Sequence, residues 1–177
     1  MYLGFIITRD VKMPNRAHPT DAGIDFFCPE ITDEFIQDIR KLEANKGLGL
    51  LSDKRGLLIK PGTNACIPSG VKIGIPYGYM GLFLNKSGVA SKRDLIIGAQ
   101  VIDTFYSGEV HIDIHNIGVQ DQVIESGMKL AQMAVVPVLA CSLTEVGDEE
   151  MLYDWMKQEE HRNEKGFGSS DDSSESN

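Results

Sequence analysis

Residues 110–115, Val-His-Ile-Asp-Ile-His, alternate apolar and polar side chains one for one. Successive side chains of a strand point to opposite faces, so only β-structure lets this run bury one face and wet the other. The same grammar recurs along the chain. Residues 2–8 read as a short apolar strand, β-structure resumes at Leu57, and residues 71–75 alternate. Residues 80–84 are apolar, 117–127 read as a strand interrupted by turns, and 128–138 as a long apolar strand. Pro61-Gly62, Pro68-Ser69-Gly70 and Pro76-Tyr77-Gly78 punctuate these runs. Short strands at regular spacing with Gly/Pro turns between them predict an all-β sandwich or barrel.

Residues 31–47 break the pattern. Phe35, Ile36, Ile39 and Leu42 recur at helical spacing, Thr32 or Asp33 can cap the start, and Gly47 can end it. The spacing predicts a surface amphipathic helix over 33–45, followed by a loop over 47–55. A second short helix is predicted over 148–158, with Leu152, Trp155 and Met156 on one side. From Glu159 the chain turns polar and reads as a flexible arm, 159–177, appended to a domain over 1–158.

At 177 residues the chain is long enough to bury a real core as one domain. No apolar run approaches membrane-spanning length, and residues 1–10 are too short a run for a signal peptide. The three cysteines, Cys28, Cys66 and Cys141, lack a C-x-x-C spacing and are expected to be buried free thiols, which fits a cytoplasmic protein. The formal charge of −9 disfavours duplex nucleic acid as a partner. It also means that an anionic substrate needs local cations or a divalent metal to neutralise it.

Four places carry candidate chemistry. Between Val101-Ile102 and the alternating strand, Asp103, Tyr106 and Gly108 form a tight loop; its acid can serve as a general base or merely close an Asx turn. Lys86-Ser87-Gly88 runs into Ala90-Ser91-Lys92, where a short helix start would aim a lysine, a hydroxyl and backbone N–H groups at one anion. Gln132 is the conspicuous polar residue of a long apolar strand, for which a satisfied core amide is the plain explanation. In the polar tail Phe167 has no core to join, and suits a stacking platform on an arm whose Gly/Ser backbone cradles an anion.

Five fragments in this order resemble the trimeric dUTPase family. They are Ala22-Gly-Ile-Asp25, Lys86-Ser-Gly-Val-Ala90, Val101-Ile-Asp103 with Tyr106 and Gly108, Gly127-Met-Lys-Leu-Ala-Gln132, and Arg162-Asn-Glu-Lys-Gly-Phe-Gly-Ser-Ser170. The resemblance implies a dUTPase-like β-clip, a distorted jelly-roll barrel, in a homotrimer with shared active sites. It implies hydrolysis of dUTP to dUMP and pyrophosphate by water attacking the α-phosphorus. Asp103 would be the base, and Tyr106 would lie against the deoxyribose and exclude a ribose. The backbone of Gln100, Val101 and Ile102 would read the uracil edge. Lys86, Ser87, Gly88 and Gln132 would bind phosphate oxygens, and Asp25 would hold waters of a Mg²⁺. Phe167 would stack on uracil while Arg162, Gly168, Ser169 and Ser170 close over the phosphates.

The chain departs from the family pattern at four places. Lys86 stands where Arg is usual, which keeps the charge and loses the bidentate fork. Gln100 stands where many members have Gly, and Asn163 and Asp171 replace family glycines. The insertion over 31–56 is longer than the usual connection and offers a surface for a protein partner. Two other outcomes compete with an active dUTPase: a regulatory or interaction protein on the same fold, and a relative of dCTP deaminase. His111, Asp113 and His115 share one strand face, which a trimer would repeat threefold as a metal site or a solvated polar lining.

Overall fold

The computed structural model describes residues 2–42, 45, 49–50 (backbone) and 56–149. In chain order the first half holds β1 (Gly4–Ile7), β2 (Ile24–Phe27), α1 (Asp33–Lys41), β3 (Gly49–Leu50), β4 (Gly56–Ile59), β5 (Asn64–Pro68) and β6 (Val71–Gly74). The second half holds β7 (Tyr79–Leu84), α2 (Ser87–Arg93), β8 (Leu95–Ile97), β9 (Val101–Ile102), β10 (His111–Asn116), β11 (Gln122–Glu125) and β12 (Lys129–Pro137). The strands pair, all antiparallel, into four small sheets: β1-β6, β5-β10-β8, β11-β4-β3 and β2-β12-β7-β9. This is the mostly-β architecture that the turn-punctuated pattern implies.

One core serves the sheets. Phe26, Phe83, Leu57, Ile67, Ile112 and Leu130 are among its fully buried members. Phe26 sits edge-on to Phe83 at 5.0 Å. In β10 the alternation does what it predicts: Ile112 and Ile114 are buried, whereas His111, Asp113 and His115 are half-exposed. Their polar groups are engaged locally. Asp113 accepts from Asn64 Nδ2 at 2.8 Å, and His115 Nε2 lies 2.8 Å from its other oxygen. Burial alone would push the Asp113 carboxyl up, but Asn64 and His115 outweigh it and hold the group below the usual carboxylate range.

The inserted helix starts as expected and ends early. Thr32 is its N-cap and accepts the Phe35 N–H through Oγ1 at 3.2 Å. Phe35 and Ile39 bury its apolar stripe. Leu42 already has extended backbone angles, so the helix stops at Lys41 instead of reaching Asn45. The reason is tertiary. Asn45 is buried, its Nδ2 donates to the Ile39 and Cys66 carbonyls, and its Oδ1 takes the Cys66 N–H. That amide staples the chain to β5, which a continuing helix would not allow. The expected loop over 47–55 also contains a strand, because Gly49 and Leu50 pair with Leu58 and Leu57.

The cysteine expectation holds in part. Cys28 is buried, and burial pushes its thiol up to about 12. Cys66 is half-buried and Cys141 is exposed. Cys141 lies beyond the last strand among the described residues, in a stretch, residues 138–149, that is exposed throughout. Residues 1–140 form one compact unit, to which every described site residue belongs; a second unit starts at Cys141. The helix expected over 148–158 and the arm with Arg162, Phe167, Gly168, Ser169 and Ser170 lie outside the described residues, save 148–149. No helix among the described residues is long and apolar enough to cross a membrane.

Candidate active site

The register of the four-stranded sheet decides which candidates meet. Gln132 of β12 faces Asp25 of β2 on one side and Leu84 of β7 on the other. Leu84 leads directly into Asn85, Lys86 and the start of α2. Three separated fragments therefore reach one end of one sheet: Gly23–Asp25, residues 85–88, and Gln132.

Their contacts are direct. Asp25 is 2% exposed and lies between two lysines, with Lys86 Nζ at 2.5 Å from Oδ1 and Lys129 Nζ at 2.7 Å from Oδ2. Its backbone is held too, since Asp25 N–H donates to the Asn15 carbonyl at 2.8 Å. Burial pushes the Asp25 carboxyl up, and Lys129 and Lys86 together outweigh it, so the group stays below the usual range and is ionised. Gln132 Nε2 donates to the Asn85 carbonyl at 2.9 Å, and Asn85 Oδ1 takes the Ile97 N–H at 2.8 Å. Gln132 is thus not a core amide; it is half-exposed and braces the turn that carries Lys86. A Cβ on Gly23 would collide with the Gln132 side chain, which explains the glycine. A Cβ on Gly88 would meet nothing within 4 Å, so packing within the chain does not require that glycine.

Residues 87–93 form the short helix α2, and no side chain caps its start at Lys86. Ser87 and Gly88 are exposed there. The result is a cradle of two lysines, a hydroxyl, an uncapped helix start and a carboxamide at one end of the sheet.

The Asp103 loop lies elsewhere. Ile102 pairs with Gly81 and Val101 with Leu82, and Phe83 donates to the Gln100 carbonyl. Asp103 therefore sits at the level of Met80, four positions from Leu84, or about 13 Å along the strand direction at the usual rise. Asp103 is exposed, as is Tyr106. Thr104 Oγ1 donates to the Ile75 carbonyl, the Tyr106 N–H to the Asp103 carbonyl, and the Tyr106 hydroxyl to the Glu109 carbonyl at 3.0 Å. The Tyr106 ring closes over Gly108, where a Cβ would strike it. Phe105 takes a positive φ of 65°, and its exposed ring lies 6.4 Å from that of Tyr77. Within one chain the structure brings Asp25, Lys86, Ser87, Gly88 and Gln132 together and keeps Asp103 and Tyr106 apart from them.

Both oxygens of the buried Asp25 carboxylate are thus met by an ammonium group, Oδ1 by Lys86 and Oδ2 by Lys129. No group of three or more His, Cys, Asp or Glu able to hold a metal occurs among the described residues. One ionised carboxylate suits contact through water with a Mg²⁺ that substrate oxygens carry. Lys129 and Asn85 belong to this cluster and sequence reasoning gave them no part in it. The one signal for Lys129 was a cation three residues before Gln132; its reach to Asp25 depends on an irregularity in the β2–β12 register between Lys129 and Ala131.

An ionised, lysine-clamped Asp thus lies beside an uncapped helix start on an antiparallel β scaffold. Residues 39–171 match the dUTPase family. The chain is 30% identical over 166 residues to the deoxyuridine 5'-triphosphate nucleotidohydrolase of Clostridium tetani, covering 93% of this chain and 92% of that one. It is 30% identical to that of Corynebacterium jeikeium, covering 92% and 88%. Among solved structures it is similar to a point variant of the Staphylococcus bacteriophage 80alpha dUTPase with dUpNHpp (TM-score 0.69, 26% identity, 96% and 98% covered). It is also similar to a variant of the dUTPase from phage phi11 of S. aureus, described for its coordination of a structural Mg(II) ion (TM-score 0.66, 26% identity, 85% and 99% covered). The chain belongs to the dUTPase family.

Proposed function

We propose that this chain hydrolyses dUTP to dUMP and pyrophosphate, with Asp103 deprotonating the water that attacks the α-phosphorus. The observation that carries the reading is the β2–β12–β7 register, which gathers three of the family's five motifs at one end of one sheet. Phosphoryl transfer asks for a positioned water and neutralised oxygens more than for covalent chemistry. Lys86, Ser87, Gly88 and Gln132 hold phosphate oxygens, and Lys129 keeps Asp25 ionised. Asp25 would hold the waters of a Mg²⁺, which would supply the triphosphate with positive charge that a chain of net charge −9 has little of elsewhere. Tyr106 lies against the deoxyribose, and the backbone of residues 100–102 reads uracil. In the arm, Phe167 stacks on the base, and Arg162, Gly168, Ser169 and Ser170 close over the phosphates.

The separation of Asp103 from the cradle supports a homotrimer in which different copies supply the two halves of each site. Three cysteines without a C-x-x-C spacing support a reducing cytoplasm as the compartment. With Mg²⁺, the purified protein is expected to release pyrophosphate from dUTP and not from dTTP, dCTP or UTP. No release from dUTP would end this reading.

A second role is favoured by one finding. Solved neighbours of the chain include phage 80alpha dUTPases described as controlling the transfer of virulence genes. On that analogy the insertion over 31–56 is a candidate surface for a protein partner. A catalytically silent Asp103→Asn protein that still captures such a partner would support it, and loss of capture with activity would count against it.

A further inference from the structure

Arg9 is the hub of a network that the reaction as described does not use. Its Nε and Nη2 reach Glu109 Oε1 at 2.7 Å and Oε2 at 3.0 Å, a bidentate fork across a sequence separation of one hundred residues. Its remaining nitrogen, Nη1, reaches Asp38 Oδ2 on the inserted helix at 3.0 Å. The guanidinium lies 5.5 Å from the Phe35 ring of the same helix. Glu109 is fixed further by the Gly70 N–H at 2.7 Å, and a side chain at Gly70 would collide with the neighbouring Arg9 and Val11.

Glu109 is also the residue on which Tyr106 hangs. The Tyr106 hydroxyl donates to the Glu109 carbonyl, and His111 Nδ1 lies 3.0 Å from that same carbonyl. One residue thus carries the tyrosine on its backbone and the arginine on its side chain. An exposed aromatic side chain held by a single hydrogen bond, that of its hydroxyl, takes its position from whatever fixes the acceptor.

We propose that Arg9 is a positioning residue for the Tyr106 loop, and that through it the inserted helix sets how strictly the site excludes a ribose. The inference rests on the reading of Tyr106 as the sugar-facing side chain. The simpler alternative makes Arg9 an anchor that only holds the helix down. The geometry separates the two: two of the three nitrogens that make contacts go to the loop and one to the helix. An anchor would not need the fork, and a lysine would serve it nearly as well.

The test uses the full chain with Mg²⁺ and compares the wild type with Arg9→Lys and Asp38→Asn. The readouts are kcat and KM for dUTP and for UTP, the thermal midpoint, and amide exchange over residues 104–108. In Arg9→Lys the preference for dUTP over UTP is expected to fall about five- to tenfold, the lower range of typical coupling between sites. Asp38→Asn, which weakens the half-buried contact between the helix and Arg9, should shift it in the same direction and speed exchange in the loop. A lowered midpoint with an unchanged dUTP/UTP ratio in both variants would overturn the inference and leave the dUTPase reading intact. A wild type that does not hydrolyse dUTP would instead remove the reading beneath it.

Discussion

At the scale of single residues, the cradle is held by steric economy as much as by charge. Gly23 has no side chain because Gln132 occupies that space, and Gln132 in turn braces the Asn85 carbonyl. The atom that a Cβ at position 23 would meet first is the far end of a flexible side chain, so Gly23→Ala should fold with little loss of stability. The carboxamide would swing away and abandon Asn85. We expect KM for dUTP to rise about tenfold, the cost of roughly one charge-assisted hydrogen bond, with kcat changed less. Steady-state kinetics beside a thermal melt checks this; an unchanged KM would show that Gln132 does not touch substrate.

At the scale of elements, what could be read in advance followed the range of the force involved. Alternation in residues 110–115, the Thr32 cap and the Phe35/Ile39 stripe are local, and each appears where local chemistry puts it. The helix end was not legible, because Asn45 spends its amide on β5, twenty-one residues away. Lys129 was invisible as a site residue for the same reason, since only strand register brings it to Asp25. The Arg9–Glu109 fork joins residues one hundred positions apart and leaves no mark in any window of sequence. Strand β10 offers a test of pairing at this scale. Asp113 is held below the ordinary carboxylate range in the fold, so it favours the folded state above the unfolded value of about 3.9 and loses that contribution as pH falls through its lower folded value. Acid unfolding followed by circular dichroism should show the wild type more stable than Asp113→Asn at neutral pH, with the gap closing below about pH 4. A gap independent of pH would place the effect in packing rather than in charge.

At the scale of the whole molecule, the cradle and Asp103 stand apart within one chain. The cradle occupies one end of the β2-β12-β7-β9 sheet, and Asp103 sits about 13 Å further along it at the normal strand rise. A triphosphate held by Lys86 and Gln132 of one copy would then meet the water on Asp103 of another. Asp103→Asn and Asp25→Asn should each be close to inactive as pure proteins. Asp25 can be replaced without stranding a buried charge, because its lysine partners are 26% and 45% exposed and can turn to solvent. When the two variants are co-expressed or refolded together, random assembly gives about one quarter of sites a sound cradle from one chain and a sound acid from another. Activity near that fraction of wild type is the expected outcome, together with a sedimentation coefficient of a trimer. A mixture no more active than its parents would mean that each chain completes its own site, and the Asp103 loop would then have to move along the sheet to meet the cradle.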